Sequence, residues 1–185
     1  MPISFSGNLA VRELGLVYNG AMMQLEDPQG SLNQERKFRF YLESKNQITL
    51  FKRKGVPFDH VILKALAYAL YWKEFDDIRL DPHLSLKFQP DLLAVDLAGE
   101  PSLWIQCGKA DAAHLEYALK HTRAREVVLV TQGTDIDQIV HELRKKIHYR
   151  YSTSRLKVIS FCLPLDEFVY DPLEIPKGCY KAFDF

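Results

Sequence analysis

Glu126-Val127-Val128-Leu129-Val130-Thr131 is a continuous apolar run of the kind found in a strand buried on both faces. A strand covered on both sides needs helices above and below its sheet, so this run alone points to an α/β architecture. The segments around it agree. Leu84 to Phe88, Leu92 to Val95, Leu103 to Cys107 and Leu156 to Leu163 read as further strands. Asp111 is placed to cap a helix over 112–123, and Thr134 or Asp135 opens another through His148. Upstream, Phe38, Phe40 and Leu42 alternate, then Ile48 and Leu50, with Ser44-Lys45-Asn46 between them, which is hairpin chemistry. Gly55-Val56-Pro57 ends that hairpin and starts a helix in which Val61, Leu63, Leu66, Ala67 and Leu70 recur at helical spacing. The first part of the chain holds short strands around Leu14 to Tyr18, then a polar loop over 26–31. The order is hairpin, α, β-meander, α, β, α, β: a mixed β-sheet flanked by helices, with an N-terminal β-hairpin extension.

Composition narrows the function. The chain has 185 residues, 47% of them hydrophobic, enough for one domain with a real core. Lys plus Arg and Asp plus Glu both number 24, so the formal net charge is zero. Proteins that mainly grip nucleic acid carry a basic excess, and any basic surface here must be local. Three cysteines at wide spacings form no zinc-type pair and read as reduced thiols. No signal peptide and no apolar run of about 18 residues is evident, so a cytoplasmic chain without a membrane span is expected.

Chemistry concentrates between Pro90 and Lys109. A Pro-Asp pair heads one apolar run; the turn Leu97-Ala98-Gly99-Glu100 follows; a second run ends in Gln106, with Lys109 beyond it. Such a hairpin brings Asp91, Gln106 and Lys109 towards one end. An acid, a second oxygen ligand and a lysine suit metal-assisted hydrolysis of phosphodiesters, in which Mg²⁺ takes hard oxygen ligands and a lysine offsets developing charge. Strict alternation points Lys109 away from Gln106, and Gly108 permits a bulge that swings it back.

The segment PDLLAVDLAGEPSLWIQCGKADAAHLEYALKHTRA, with Asp96-Leu97-Ala98-Gly99 and Trp104-Ile105-Gln106-Cys107-Gly108, resembles the bacterial YaeQ family, a branch of the PD-(D/E)XK nuclease-like superfamily. The helix DHVILKALAYALYW resembles that family's preceding helix, with Asp59 on its acidic position. The likeness covers roughly 37–131. It implies a restriction-endonuclease-like core over 55–163, between an N-terminal part over 1–54 and a C-terminal arm over 164–185. It also implies Mg²⁺ held by Asp59, Asp91 and Gln106, with Asp91, Gln106 and Lys109 serving a nuclease. Gln106 stands where the family has glutamate, and Gly108 where the wider superfamily has lysine. These departures support an alternative: a catalytically degenerate scaffold kept as a binding or interaction module.

Plainer readings exist for most of these residues. Asp59 suits a helix start as a charge favoured by the dipole. Asp96 and Glu100 suit a solvated turn. His114 and His121, like His141 and His148, lie two helical turns apart, about 10 Å, too far to share a metal. Arg144-Lys145-Lys146-Ile147-His148-Tyr149-Arg150-Tyr151 and the smaller Lys52-Arg53-Lys54 are the basic stretches able to meet nucleic acid, though cations in a helix's last turn need no ligand. The acidic, aromatic tail from Pro164 is expected to pack as an irregular arm and to offer homodimer contacts.

Overall fold

The computed structural model describes residues 15–16, 33–42, 46–133, 135–151, 154–162, 164–165, 173–175 and 178–185. Its main sheet has six strands in the order β10-β8-β7-β6-β5-β4, formed by Tyr180–Asp184, Leu156–Phe161, Glu126–Gln132, Pro101–Cys107, Leu92–Val95 and Arg79–Leu80. β6, β7 and β8 run parallel; β4, β5 and β10 run antiparallel to their neighbours. Helix α2 (Ala112–His121) crosses from β6 to β7, and α3 (Ile136–Lys146) from β7 to β8. Two successive crossovers of one hand place both helices on one face. Helix α1 (Phe58–Tyr71) covers the other.

Alternation along the strands sorts the core into two halves. Leu92, Leu103, Ile105, Cys107, Val128 and Val130 pack with α1. Leu93, Trp104, Val127, Leu129, Leu156 and Val158 pack with α2 and α3. Val127 to Val130 are fully buried, as the continuous apolar run requires. Helix α1 is buried on nearly all sides, because the hairpin of β2 (Arg36–Leu42) and β3 (Asn46–Lys52) lies over its outer face. Phe38 and Phe58 meet there with ring centroids 4.6 Å apart. A small pair, β1 (Gly15–Leu16) with β9 (Leu173–Glu174), completes the described strands.

Helix ends follow sequence chemistry. The Asp111 side chain accepts from the Ala113 and His114 amides, and Asp135 from the Asp137 amide. At the β5–β6 turn Asp96 accepts from the amides of Ala98 and Glu100, both at 2.9 Å, while Gly99 takes φ 82°. Asp96 is thereby a turn-forming residue.

Two expectations are corrected. Leu84 to Phe88 is not a strand: the Gln89 side chain folds back to accept from the Leu84 amide and donate to the Leu84 and Leu86 carbonyls. Leu84 and Leu86 pack as a loop on the α2 side, and the strand beside β5 is instead Arg79–Leu80. The tail is not wholly irregular either, since β10 pairs with β8 from Tyr180 opposite Phe161 to Asp184 opposite Lys157. The Ser44-Lys45 turn positions, the loop over 26–31 and most of the segment around Leu14 to Tyr18 lie outside the described residues. Among the described residues no helix is long and apolar enough to cross a membrane.

Candidate functional site

Asp91 stands where β5 begins, with its amide donating to the Ile105 carbonyl at 2.9 Å. Its carboxylate turns towards α1. Oδ2 accepts from the Cys107 amide at 2.7 Å, and Oδ1 lies 2.9 Å from His60 Nε2 and 3.1 Å from Lys64 Nζ. Lys64 Nζ also donates to Asp81 Oδ1. His60 and Lys64 are four apart on α1 and share a face. Asp81 follows β4 with φ 46°, in the left-handed region that Asp tolerates better than most residues. Its amide donates to the Asp91 carbonyl, so backbone and side chains tie the same elements together.

The charges are adjusted to one another. Burial raises the cost of ionising Asp91, but His60, Lys64 and the Cys107 amide outweigh it and hold the carboxyl below its ordinary 3.8. Burial likewise disfavours the Lys64 ammonium, yet Asp91 and Asp81 overcome this and hold its pKa above 10.5. The Cys107 thiol is pushed well up, mainly by burial, which leaves it a poor nucleophile at neutral pH.

The other expected residues fall elsewhere. Gln106 has the same strand parity as Trp104 and faces α2, where its Nε2 lies 3.4 Å from His114 Nδ1. Its Oε1 is buried without a partner among the described residues. Asp91 and Gln106 thus use opposite faces of the sheet. Lys109 is exposed and lines a shallow cleft with Asp111, Glu116 and Lys146. Asp59 is exposed in the first turn of α1, and none of the described contacts of Asp91 involves it. His60, Lys64 and Asp81 were not legible as site residues. The available signal was Lys64 itself, a charge inside the apolar stripe of a helix. His114 is half-buried between Gln106 and the Phe88 ring, whose centroid is 4.0 Å from its own.

A divalent cation fits this donor set poorly. Both Asp91 oxygens are engaged by protein donors, two of them nitrogens that are cationic or able to be. Gln106 lies across the sheet. Among the described residues no group of three or more His, Cys, Asp or Glu side chains is arranged to hold a metal ion.

Gly108 ends β6 with φ 96°, and a Cβ there would sit 3.4 Å from His60 Nδ1. Glycine is therefore required for backbone conformation beside the His60–Asp91 pair. Gly108→Ala is expected to lower unfolding free energy by about 1–2 kcal/mol, the left-handed penalty of a non-glycine residue, as read by urea denaturation. Gly108→Lys carries the same strain, so restoring a lysine there does not cleanly restore a site.

The six-stranded mixed sheet with α1 on one face and α2 and α3 on the other defines an α/β domain. The family model described as YaeQ protein matches residues 58–164, more than half of the chain, and the chain belongs to the YaeQ family. The crystal structure of YaeQ from Xanthomonas axonopodis pv. citri is similar at 26% identity and a TM-score of 0.51, covering 66% of this chain and 65% of that one. The chain therefore spans less than two thirds of that relative's length. YaeQ from Pseudomonas syringae shares the fold at 18% identity and a TM-score of 0.52, over 78% of this chain and 80% of that one. No curated protein matches.

Proposed function

We propose that this chain uses the YaeQ-family fold as a binding or interaction module and not as a Mg²⁺-dependent nuclease. The carrying observation is the Asp91 carboxylate, whose oxygens are bound by the Cys107 amide, His60 and Lys64. A ligand carboxylate must exchange water for metal, whereas this one is enclosed in an internal ion network. The charge-neutral Gln106 on the opposite face adds to the reading.

The purified chain, given Mg²⁺ or Mn²⁺, is expected to leave single-stranded, double-stranded and branched nucleic acids intact. Its melting temperature should be the same with either cation and with chelator, since an ion that binds only the folded state raises stability. Metal-dependent cleavage that disappears in Asp91→Asn would overturn this reading.

A second reading has one observation behind it. An acid and a buried lysine do meet at the head of β5, as the likeness to PD-(D/E)XK nucleases implies, with Lys64 in place of Lys109. On this reading Asp91 and Asp81 supply the carboxylates for Mg²⁺, and Lys64 offsets charge on the phosphodiester. It requires His60 and Lys64 to leave Asp91, and the same cleavage assay decides it.

A further inference from the structure

The β2–β3 ribbon has two faces of opposite character. Phe38, Phe40, Leu42, Ile48 and Leu50 pack towards α1. On the outward face the register sets Lys37 opposite Phe51 and Arg39 opposite Thr49. Phe51 is 59% exposed, unusual for a phenylalanine beside a well-filled core, and Lys37 Nζ lies 5.6 Å from its ring centroid. Beyond the ribbon's end the chain turns at Gly55 (φ 80°), with the Val56 amide donating to the Arg53 carbonyl. There a cleft of about 630 Å³ opens, lined by Arg36, Lys37, Phe51, Lys52 and Arg53 on one side and Leu80 and Asp81 on the other.

Several cations of this surface stand apart from acids. Arg36, Lys37, Arg39 and Arg53 enter no ion pair among the described residues. The richer basic run on α3 is different: Lys145 and Lys146 bridge to Glu142 at 3.3 and 3.7 Å, and Arg144 lies over the Phe183 and Phe185 rings. Of the two acids at the cleft, Asp81 is bound to Lys64, which leaves Glu35 as the opposing charge. With a net charge of zero, such a local excess is the only kind of basic surface this chain can offer.

We propose that the outward face of this ribbon and the cleft at its end bind single-stranded nucleic acid, Phe51 stacking on a base and Lys37, Arg39 and Arg53 facing phosphates. An exposed ring set among cations is the arrangement that holds unpaired bases without sequence preference. An acidic peptide would use the cations but not the ring's flat face. The inference rests on reading the chain as a binding module and names the partner.

Binding of the full chain to fluorescein-labelled oligothymidylate and oligouridylate, followed by anisotropy in low salt with chelator present, tests it. Phe51→Ala should weaken binding by about tenfold, the share of one base–aromatic stack, while Phe51→Trp retains it. Replacing Lys37 and Arg53 together by alanine should flatten the log–log salt dependence by roughly 1.4, two phosphate contacts' worth for a single strand. No binding, binding indifferent to Phe51→Ala, or oligonucleotide displaced more readily by polyglutamate than by unlabelled oligonucleotide would each overturn it. The chelator separates this result from catalysis. Failed binding leaves the reading of Asp91 untouched, and metal-dependent cleavage would remove that reading without touching the ribbon.

Discussion

Asp91→Ala should cost about 3–5 kcal/mol of unfolding free energy at neutral pH, the usual result of removing one partner from a buried ion pair. The Asp91 and Lys64 side chains are only 17% and 10% exposed, so solvent screening relieves little of this. The loss has three parts. The Cys107 amide is left without its acceptor, His60 Nε2 loses its carboxylate partner, and Lys64 keeps only Asp81. Urea denaturation measures the effect, and Asp59→Ala, at an exposed position on α1, serves as the control with a change within about 0.5 kcal/mol. The pH dependence has a definite sign. Asp91 titrates below its ordinary 3.8 in the folded protein, so its contribution is present above the unfolded value and lost as pH falls through the folded one. The gap between native chain and variant should therefore be constant from neutrality down to about pH 5 and close below about pH 4. A loss under about 1 kcal/mol at neutral pH would show that Asp91 is not structurally committed, and would return it to candidacy as a metal ligand.

Why the strands were legible and the site was only half so has a physical basis. Strands β5, β6 and β7 announce themselves because apolar side chains must fill both faces of a covered sheet. The turn between β5 and β6 shows in Asp96 and Gly99, whose roles are local. Leu84, Leu86 and Phe88 alternate as a half-buried strand would, yet their burial is met by docking on the α2 side, where Phe88 meets Tyr117 edge-on at 5.3 Å. Periodicity reports that residues are buried, not which neighbour buries them. Strand β10 is invisible for the related reason that its pairing with β8 is long-range. At the site, Asp91 is marked by the proline before it. Its partners come from α1 and from the segment after β4, and no local spacing brings Lys64 to Asp81. The parity of Gln106 follows from β6, but that of Asp91 does not, because Asp91 precedes the regular pairing of β5. Counting alternation along the hairpin therefore puts the two on a shared site that the folded chain divides between two faces.

Lys64→Met should be as costly near neutrality, about 3–5 kcal/mol, but with an opposite dependence on pH. Methionine fills the buried volume along α1, so the loss isolates the charge. Without the ammonium, Asp81 and Asp91 remain at one place as two carboxylates, with the His60 ring beside Asp91. Like charges so placed resist ionising together, which is expected to raise the pair's titration in the folded variant. Raised folded values contribute stability that is full below the unfolded pKa and lost as pH rises through the folded one. The variant should accordingly recover part of its stability on acidification towards the ordinary carboxylate range, where the native chain gains nothing from Asp91. Denaturation series of both proteins at several pH values give the test. Parallel curves over that range would mean that the two carboxylates are not coupled through Lys64. A variant that also gains stability with Mg²⁺ would show that the ammonium occupies the place of a cation.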